Sequence, residues 1–301
     1  MSATRVYKID PAAATALAQR LRGELPPDAD WYSVDYARYA VKALDANLVC
    51  YTSGKLVLQG KGADGFAQRF LQSFDDARKP TESPIAFDEP TIGSDEAGKG
   101  DYFGPLVVAA VYAEPGQRSQ LAAMGVADSK TLSDKRMFPM SELIERTFDC
   151  EVRVLMPEDY NARWQREQNV NHVLADLHAD ALATLLLRHP ESALIVDQFG
   201  NESLIATRLR KILGRAPRKL TQIPRAEAHP VVGAASVVAR VHFVEGFLRC
   251  EESSGTDLHK GGGALVDECA THAFRIGGAA LMAKIAKLHF RNSERLPFEN
   301  K

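Results

Sequence analysis

The chain has 301 residues, of which 45% are hydrophobic and 25% are charged, and its net charge is −2. These values are ordinary for a globular protein long enough for more than one domain, and they do not by themselves indicate a nucleic-acid-binding protein. No uninterrupted apolar run is long enough to span a bilayer and the N-terminus lacks a secretory pattern, which argues against a membrane or exported protein.

The four cysteines are widely scattered and form no CxxC pair or Cys/His cluster, so the sequence predicts no zinc site. Free, buried thiols in a reduced, cytoplasmic protein are the simplest interpretation.

The first 80 residues predict a small α+β unit. "TRVYKID" alternates like a strand, and "PAAATALAQRLRGE" predicts a helix with Asp10 as N-cap and Pro11 at its first position. "LVCYTSGKLVLQGKG" predicts a hairpin that turns at Ser53 and Gly54, and "ADGFAQRFLQSF" predicts a second amphipathic helix.

A change in composition then separates two domains. The stretch "DDARKPTESPIAFDEPT" has three prolines, many charges and little periodicity, which is typical of a linker. We therefore expect a domain over residues 1–80, a linker over 81–90 and a second domain over 91–301.

The second domain is predicted to be an α/β fold. "PTIGSDEAGKGDYFGPLVVAAVYA" predicts two strands joined by a glycine-rich turn, "DCEVRVLMP" a third strand, "SALIVDQFG" a fourth and "KLTQIP" a fifth. "NVNHVLADLHADALATLLLRH" and the small-residue-rich "HPVVGAASVVARVHFVEGFLRC" predict long helices. This order favours a mixed sheet covered by helices.

Basic residues concentrate in one window of this domain. No acidic residue lies between Glu202 and Glu227, whereas seven lysines and arginines do. Solvated helix faces would explain this pattern, and so would a basic rim that binds a polyanion around an acidic centre.

Four acidic residues are candidates for that centre. Asp95 and Glu96 follow the β-prone run "PTI", Asp197 ends the apolar run "LIVD", and Glu227 precedes a predicted helix. Acids at strand ends of an α/β sheet converge on one edge, where four carboxylates would require cations. Two Mg²⁺ ions roughly 4 Å apart would make a site for phosphodiester cleavage. Taken singly, Asp197 could instead be a capping acid and Glu227 a surface acid.

The glycines beside the acidic pair allow two interpretations. Neighbouring strand residues point to opposite faces, so Asp95 and Glu96 can share a site only if the strand ends there and bends, with Gly98 and Gly100 supplying the freedom. A phosphate-binding loop is the weaker alternative, because neither GxxxxGK[ST] nor GxGxxG is present.

These stretches together resemble the type 2 ribonucleases H. "GSDEAGKGDYFGPLVVAAVY" is similar to the signature of that family, and its "DYFGP" form resembles the ribonuclease HIII branch. "VADSKTLSD", "NVNHVLADLH", "LIVDQF", "AEAHPVVGAASVVAR" and "AKLHFRN" agree in order, over about residues 90–295. The resemblance implies a ribonuclease H-like mixed sheet flanked by helices, preceded by a small α+β domain like half of the TATA-binding protein.

The resemblance also implies roles for single residues. Asp95, Glu96, Asp197 and Glu227 would be the catalytic acids and would bind Mg²⁺ or Mn²⁺. The Gly98-Lys99-Gly100 turn would contact RNA 2′-hydroxyls through its backbone. The full set of implied substrate contacts is Ser94, Gly98, Lys99, Gly100 and Lys130, together with Tyr51, Lys55, Gln59 and Lys61 in the first domain.

Three further residues are left with open roles. Ser236 and Arg240 fall in the family's "AAS…AR" stretch, where packing and substrate contact are both possible. His259 lies where this sequence departs from the family's commoner "LPKGA" form, and we expect it at the surface.

The resemblance thus implies an endonuclease that hydrolyses the RNA strand of RNA–DNA hybrids by a two-metal-ion mechanism, and we expect it to be monomeric and cytoplasmic. The products would carry 3′-hydroxyl and 5′-phosphate ends, and the role would be removal of RNA primers and hybrids. The alternatives are excision of single embedded ribonucleotides, as in ribonuclease HII, a non-catalytic hybrid-binding protein, or a nucleotide-binding protein that uses the glycine turn.

Overall fold

A computed structural model describes residues 3–71, 89–126, 133–200, 203–224 and 226–297. The chain divides into two units, Met1–Glu82 and Ser83–Lys301.

The N-terminal unit is a five-stranded antiparallel sheet with two helices on one face. Its strands are β1 (Ala3–Lys8), β2 (Asp30–Tyr32), β3 (Ala37–Ala43), β4 (Ala46–Tyr51) and β5 (Lys55–Gly60), and its helices are α1 (Pro11–Glu24) and α2 (Ala63–Phe70). The strand order is β1-β5-β4-β3-β2. Leu48, Leu56 and Leu58 on the covered face pack with Phe66 and Phe70 of α2 in the core. The predicted α+β architecture of this unit is therefore confirmed.

Local signals set the first elements of this unit. The Asp10 side chain accepts hydrogen bonds of 2.9 Å from the backbone N–H groups of Ala12 and Ala13, and Pro11 is the first residue of α1. The hairpin β4–β5 turns at Gly54, whose φ of +80° suits glycine. Both sequence predictions are confirmed.

The C-terminal unit is built around a second five-stranded sheet. Its strands are β6 (Thr91–Ala97), β7 (Leu106–Ala113), β8 (Cys150–Leu155), β9 (Ala193–Asp197) and β10 (Leu220–Ile223). Its helices are α3 (Pro115–Ala123), α4 (Asp134–Thr147), α5 (Pro157–Glu167), α6 (Val170–Arg188), α7 (Ser203–Leu213), α8 (Pro230–Ser254), α9 (Ala264–Ile285) and α10 (Arg291–Glu294).

The sheet of this unit is mixed, with β6 at its centre. The strand order is β10-β9-β6-β7-β8, in which β7 and β8 run antiparallel to their neighbours and β9 runs parallel to both β6 and β10. Alternate residues of β7 bury themselves on opposite sides: Ala109 and Val111 pack toward α8, whereas Val108 and Ala110 pack toward α6. Helices therefore cover both faces, and the predicted α/β class is confirmed.

Helix α8 lies unusually close to the central strand. A Cβ atom added to Gly93 of β6 would come within 2.7 Å of the backbone nitrogen of Val232, so only glycine allows this approach. By length and composition α8 could cross a membrane, but 72% of its most apolar window is buried inside the protein. Its apolar surface is thus accounted for by the core.

All four cysteines are free thiols. Cys50 and Cys250 are buried, as expected, whereas Cys150 and Cys269 are partly exposed. Burial raises the pKa of the Cys250 thiol to about 11, which disfavours the reactive thiolate.

Candidate active site

Strand β6 carries Asp95 and Glu96 as regular strand residues. Asp95 pairs with Ala109 and Glu96 pairs with Val108 across the antiparallel β6–β7 ladder, and the strand continues to Ala97. The strand ends one residue after the acidic pair, and the chain turns at Gly98, whose φ is +88°, so both carboxylates lie at the end of β6 next to the glycine-rich turn. Because strand residues alternate, the two carboxylates leave opposite faces of the sheet, Asp95 toward α8 and Glu96 toward α6.

Asp95 is a buried acid, with only 7% of its surface exposed. One of its oxygens accepts a 2.8 Å hydrogen bond from the Glu96 backbone N–H, and the Ser236 hydroxyl of α8 donates to the same carboxyl group. Burial and then the neighbouring charges of Glu96 and Asp197 raise the pKa of Asp95 to about 7. Among the described residues, the charges that act on this carboxylate are negative ones, so its charged form is disfavoured.

Asp197 lies beside Asp95 because of the parallel register of β6 and β9. Ser94 pairs with Val196, which places the next residue of each strand, Asp95 and Asp197, at adjacent positions. Neighbouring strands are about 4.8 Å apart and residues in register share a face. The Asp197 carboxylate is also fixed locally, since its Oδ1 accepts a 3.0 Å hydrogen bond from the backbone N–H of Ala226.

Glu227 is the residue after Ala226, whose N–H makes that hydrogen bond. It lies in the short 3₁₀ helix Ala226–Ala228, which precedes α8, and its side chain is partly buried. The bond from Ala226 to Asp197 ties this segment to the end of β9. The sheet therefore places Asp95 and Asp197 on the same face, and the segment that carries Glu227 is tied to the end of β9 beside them.

These acids do not form a closed cage. Across the described residues, no three or more His, Cys, Asp or Glu side chains are arranged to enclose a metal ion. Mg²⁺ seldom requires such a cage, since it keeps several waters and uses one or two carboxylates together with substrate phosphates. Buried oxygen ligands with excess negative charge thus fit a hard divalent cation.

Glu96 has a separate set of neighbours on the α6 side. Its Oε2 lies 3.3 Å from Nε2 of His178, and its Oε1 lies 3.7 Å from the Lys99 ammonium. The Lys99 ammonium also lies 5.4 Å from the centroid of the Phe199 ring. The His178 ring and the Lys99 ammonium therefore orient the Glu96 carboxylate.

The predicted substrate contact of Ser94 needs correction. Ser94 is fully buried in β6, and its hydroxyl lies 2.9 Å from Nδ1 of His178. Strand alternation places Ser94 and Glu96 on the same face, which turns Ser94 into the protein. Its side chain is therefore not available to a substrate.

Gly98 and Gly100 differ in whether the fold requires a glycine at their position. Gly98 has a φ of +88°, and a Cβ atom there would lie 2.2 Å from the carbonyl oxygen of Pro105 and 2.7 Å from the Phe243 ring. Gly100 is exposed, and a Cβ atom there would meet no atom within 4 Å. The fold requires the first glycine, whereas nothing in the described residues requires the second.

Asp101 is part of the turn rather than of the acidic cluster. Its Oδ1 accepts a 2.7 Å hydrogen bond from the Gly261 N–H. Lys287 fixes the residues that follow Asp101. Its buried ammonium donates to three successive carbonyl groups from Phe103 to Pro105, the shortest at 2.6 Å to Gly104.

The remaining residues of the second domain have the following positions. Arg240 lies 4.0 Å from Asp134 and 5.4 Å from the centroid of the Phe243 ring, and His259 is exposed as expected. Lys130 lies outside the described residues.

The implied contacts of the N-terminal unit share one face of its sheet. Lys55 and Gln59 are exposed and alternate with the buried Leu56 and Leu58, so they lie on the face opposite the helices. Tyr51 follows the buried Cys50 in β4 and also points to that face. Lys61 is exposed in the turn after β5.

His178 is the residue of this site that sequence reasoning missed. It lies on the buried face of α6 among apolar residues, where a histidine is commonly a core residue with a local partner. The only available signal was a polar ring in an otherwise apolar face. Spacing along one helix cannot show that the ring meets a carboxylate 82 positions away.

Comparison with known proteins identifies the family of this chain. The family model for ribonuclease HII matches residues 92–293, and a model for a domain of unknown function (DUF3378) matches residues 5–83. The chain is 35% identical to ribonuclease HIII of Protochlamydia amoebophila over 85% of both chains. It is 37% identical to ribonuclease HIII of Geobacillus kaustophilus, covering 86% of this chain and 88% of that one.

A solved structure agrees over nearly the whole length. The crystal structure of Bst-RNase HIII in complex with Mn²⁺ is 33% identical to this chain, covers 97% of both chains and has a TM-score of 0.64. Sequence, family model and fold thus converge, and the chain belongs to the ribonuclease HIII family of ribonuclease H enzymes.

Proposed function

We propose that the protein is an endonuclease that hydrolyses the RNA strand of RNA–DNA hybrids with the help of two divalent cations, Mg²⁺ or Mn²⁺. The observation that carries this proposal is the adjacent placement of Asp95 and Asp197 on one face of the central sheet. The names of the relatives and the Mn²⁺ complex of the similar structure support it.

The proposed metal ligands are Asp95, Glu96, Asp197 and Glu227. The raised pKa of Asp95, about 7, reflects burial and uncompensated negative charge, which a divalent cation would neutralise. When bound, the cations would lower the pKa of an attacking water and stabilise the leaving oxygen. The cut would leave 3′-hydroxyl and 5′-phosphate ends.

The protein's own part in this scheme is to fix the acids and to admit the ribose. Asp197 is held by the N–H of Ala226, and Asp95 is held by Ser236 and the Glu96 N–H. The open space around Gly100 would let an RNA strand approach the backbone, where the 2′-hydroxyl distinguishes RNA from DNA. We also propose substrate contacts for Lys99 and Lys130 in the C-terminal unit and, in the N-terminal unit, for Tyr51, Lys55, Gln59 and Lys61.

The proposed cellular role is removal of RNA primers and hybrids by a monomeric, cytoplasmic enzyme. The free state of all four cysteines is compatible with a reducing compartment.

Substrate preference tests the proposal against its alternatives. The full chain would be assayed with Mn²⁺ or Mg²⁺ on a uniform RNA–DNA hybrid, on a DNA duplex carrying one ribonucleotide, and on an all-DNA duplex. We expect multiple cuts in the RNA strand of the hybrid, weak cutting of the second substrate and none of the third. Stronger cutting of the single-ribonucleotide duplex would favour ribonuclease HII-like excision, and tight hybrid binding without cleavage would favour a non-catalytic binding protein.

A further inference from the structure

We propose that His178 is a positioning residue that orients Glu96 for the cation, and that Ser94 fixes the ring of His178 for this task. The inference rests on the proposed function, because it assigns a purpose to a contact of one of the proposed metal ligands. It adds two buried residues to a site otherwise made of carboxylates and backbone.

Ser94, His178 and Glu96 form a chain of hydrogen bonds, which we call the relay, with one partner at each ring nitrogen of His178. Oε2 of Glu96 lies 3.3 Å from Nε2 of His178, and Oγ of Ser94 lies 2.9 Å from Nδ1 of the same ring. A carboxylate only accepts, so Nε2 must carry the proton. In the neutral ring Nδ1 is then an acceptor, and the Ser94 hydroxyl donates to it.

Packing holds the ring of His178 in place. The side chain is 0% exposed, and the Phe199 ring stacks on it with centroids 4.9 Å apart and planes inclined by 18°. Ser94 and Glu96 are two residues apart in β6, so a single strand presents both partners to the two nitrogens of one ring. The relay is therefore built from rigid elements.

The consequence for Glu96 is that its two oxygens have different tasks. Oε2 is occupied by His178, whereas Oε1 faces the half-exposed Lys99 ammonium at 3.7 Å. Oε1 is thus the oxygen that a metal ion would take, by displacing the Lys99 ammonium, while His178 keeps Oε2.

A matched pair of substitutions separates the two nitrogens. In His178→Gln the side-chain amide reaches the position of Nε2 and can still donate to Glu96, whereas in His178→Asn it reaches only the position of Nδ1. Partners of metal ligands typically contribute about 10–100-fold in metal affinity, so we expect His178→Asn to weaken Mn²⁺ binding by about that factor. His178→Gln should stay within about threefold of the wild type by the same reasoning. Ser94→Ala, which frees the ring tautomer, should fall between them.

The measurement is Mn²⁺ binding to the full chain without substrate, by titration calorimetry, alongside the thermal unfolding midpoint in EDTA. Equal Mn²⁺ affinity of folded His178→Asn and wild type would overturn the inference. An equal loss of Mn²⁺ affinity in both histidine variants that parallels their loss of stability would show that His178 has a purely structural role. That result would also overturn the inference.

Two further outcomes remain distinct. If the histidine variants do not fold, Ser94→Ala decides: weaker Mn²⁺ binding supports the relay, and unchanged binding overturns it. If the wild type binds no Mn²⁺ and cuts no hybrid, the proposed function fails and the inference falls with it. If the wild type cuts the hybrid but the substitutions leave the Mn²⁺ affinity unchanged, the proposed function stands and the inference alone fails.

Discussion

Asp95 and Asp197 occupy adjacent positions of two parallel strands and point to the same face of the sheet. Two carboxylates at that spacing repel each other, and the burial of Asp95 strengthens the effect. We therefore expect this arrangement to lower the stability of the metal-free protein, and the proposed cation would relieve the repulsion.

The first prediction is that Asp197→Asn does not destabilise the metal-free protein. Asparagine keeps the oxygen that accepts from Ala226 and removes one of two neighbouring charges. In EDTA we expect the free energy of unfolding to stay equal or to rise by up to about 1 kcal/mol. The exposed acid Asp257 provides the control, since Asp257→Asn should change little. Clear destabilisation by Asp197→Asn alone would contradict the repulsion.

The second prediction separates the two glycines of the turn. Gly98→Ala would force a side chain against the Pro105 carbonyl and should cost more than about 2 kcal/mol of stability. Gly100→Ala meets only open space, so its stability should change by less than about 0.5 kcal/mol. The added methyl group of Gly100→Ala would nevertheless lie where we propose that the RNA strand approaches, so hybrid cleavage should fall.

Thermal unfolding and hybrid cleavage, measured on both variants, check this contrast. A Gly100→Ala protein that is stable and fully active would show that the backbone at this position does not contact the substrate.

The third prediction concerns acid stability. Burial and the nearby Lys287 charge lower the pKa of His289 from 6.5 to about 4. Between about pH 6.5 and pH 4 the His289 side chain binds a proton in the unfolded chain but not in the folded protein. The free energy of unfolding therefore decreases as the pH falls through this window. His289 stacks on Trp164 with centroids 3.9 Å apart, and its buried Nδ1 has no hydrogen-bond partner among the described residues.

His289→Phe keeps the stacking and cannot be protonated. We expect its unfolding free energy to decline less than that of the wild type between pH 6.5 and pH 4, as measured by urea unfolding at several pH values. The exposed His272→Phe is the control. Parallel pH curves for the wild type and His289→Phe would show that this ring does not contribute.

The fourth prediction concerns the buried Lys287. Lys287→Met would leave carbonyl groups of Phe103, Gly104 and Pro105 without their donor, at a cost of about 2–3 kcal/mol. Lys284, exposed in the last turn of α9, is the matched control and should tolerate methionine. Similar denaturant midpoints for the two methionine variants would contradict the assigned role.

Several elements could be predicted from the sequence because their signals are local. Asp10 before Pro11 sets the start of α1, and the Ser53-Gly54 turn sets the β4–β5 hairpin. The end of β6 at Ala97, directly before the predicted glycine-rich turn, agrees with the sequence prediction, although "GSDEA" has little strand propensity of its own. Pairing with the apolar β7 keeps these residues extended, which shows tertiary context overriding propensity.

The site shows the same division between local and long-range information. The positions of Asp95 and Asp197 at the end of β-prone runs pointed to their meeting, which the parallel register then produced. The contacts of Ser94 and His178 depend on which strand face meets which helix face, and no spacing along the chain contains that information. Ser94 was accordingly assigned to the substrate, although it is buried in the protein.

The most direct test is cleavage of a 5′-labelled RNA–DNA hybrid by the full chain and by Asp197→Asn, with Mn²⁺, with Mg²⁺ and with EDTA. We predict cuts in the RNA strand that need a divalent cation, and a loss of more than about 100-fold in the variant, because one of the proposed cation ligands is gone. Cleavage by Asp197→Asn at the wild-type rate, or wild-type cleavage that persists in EDTA, would contradict a cation-dependent site built on these two aspartates.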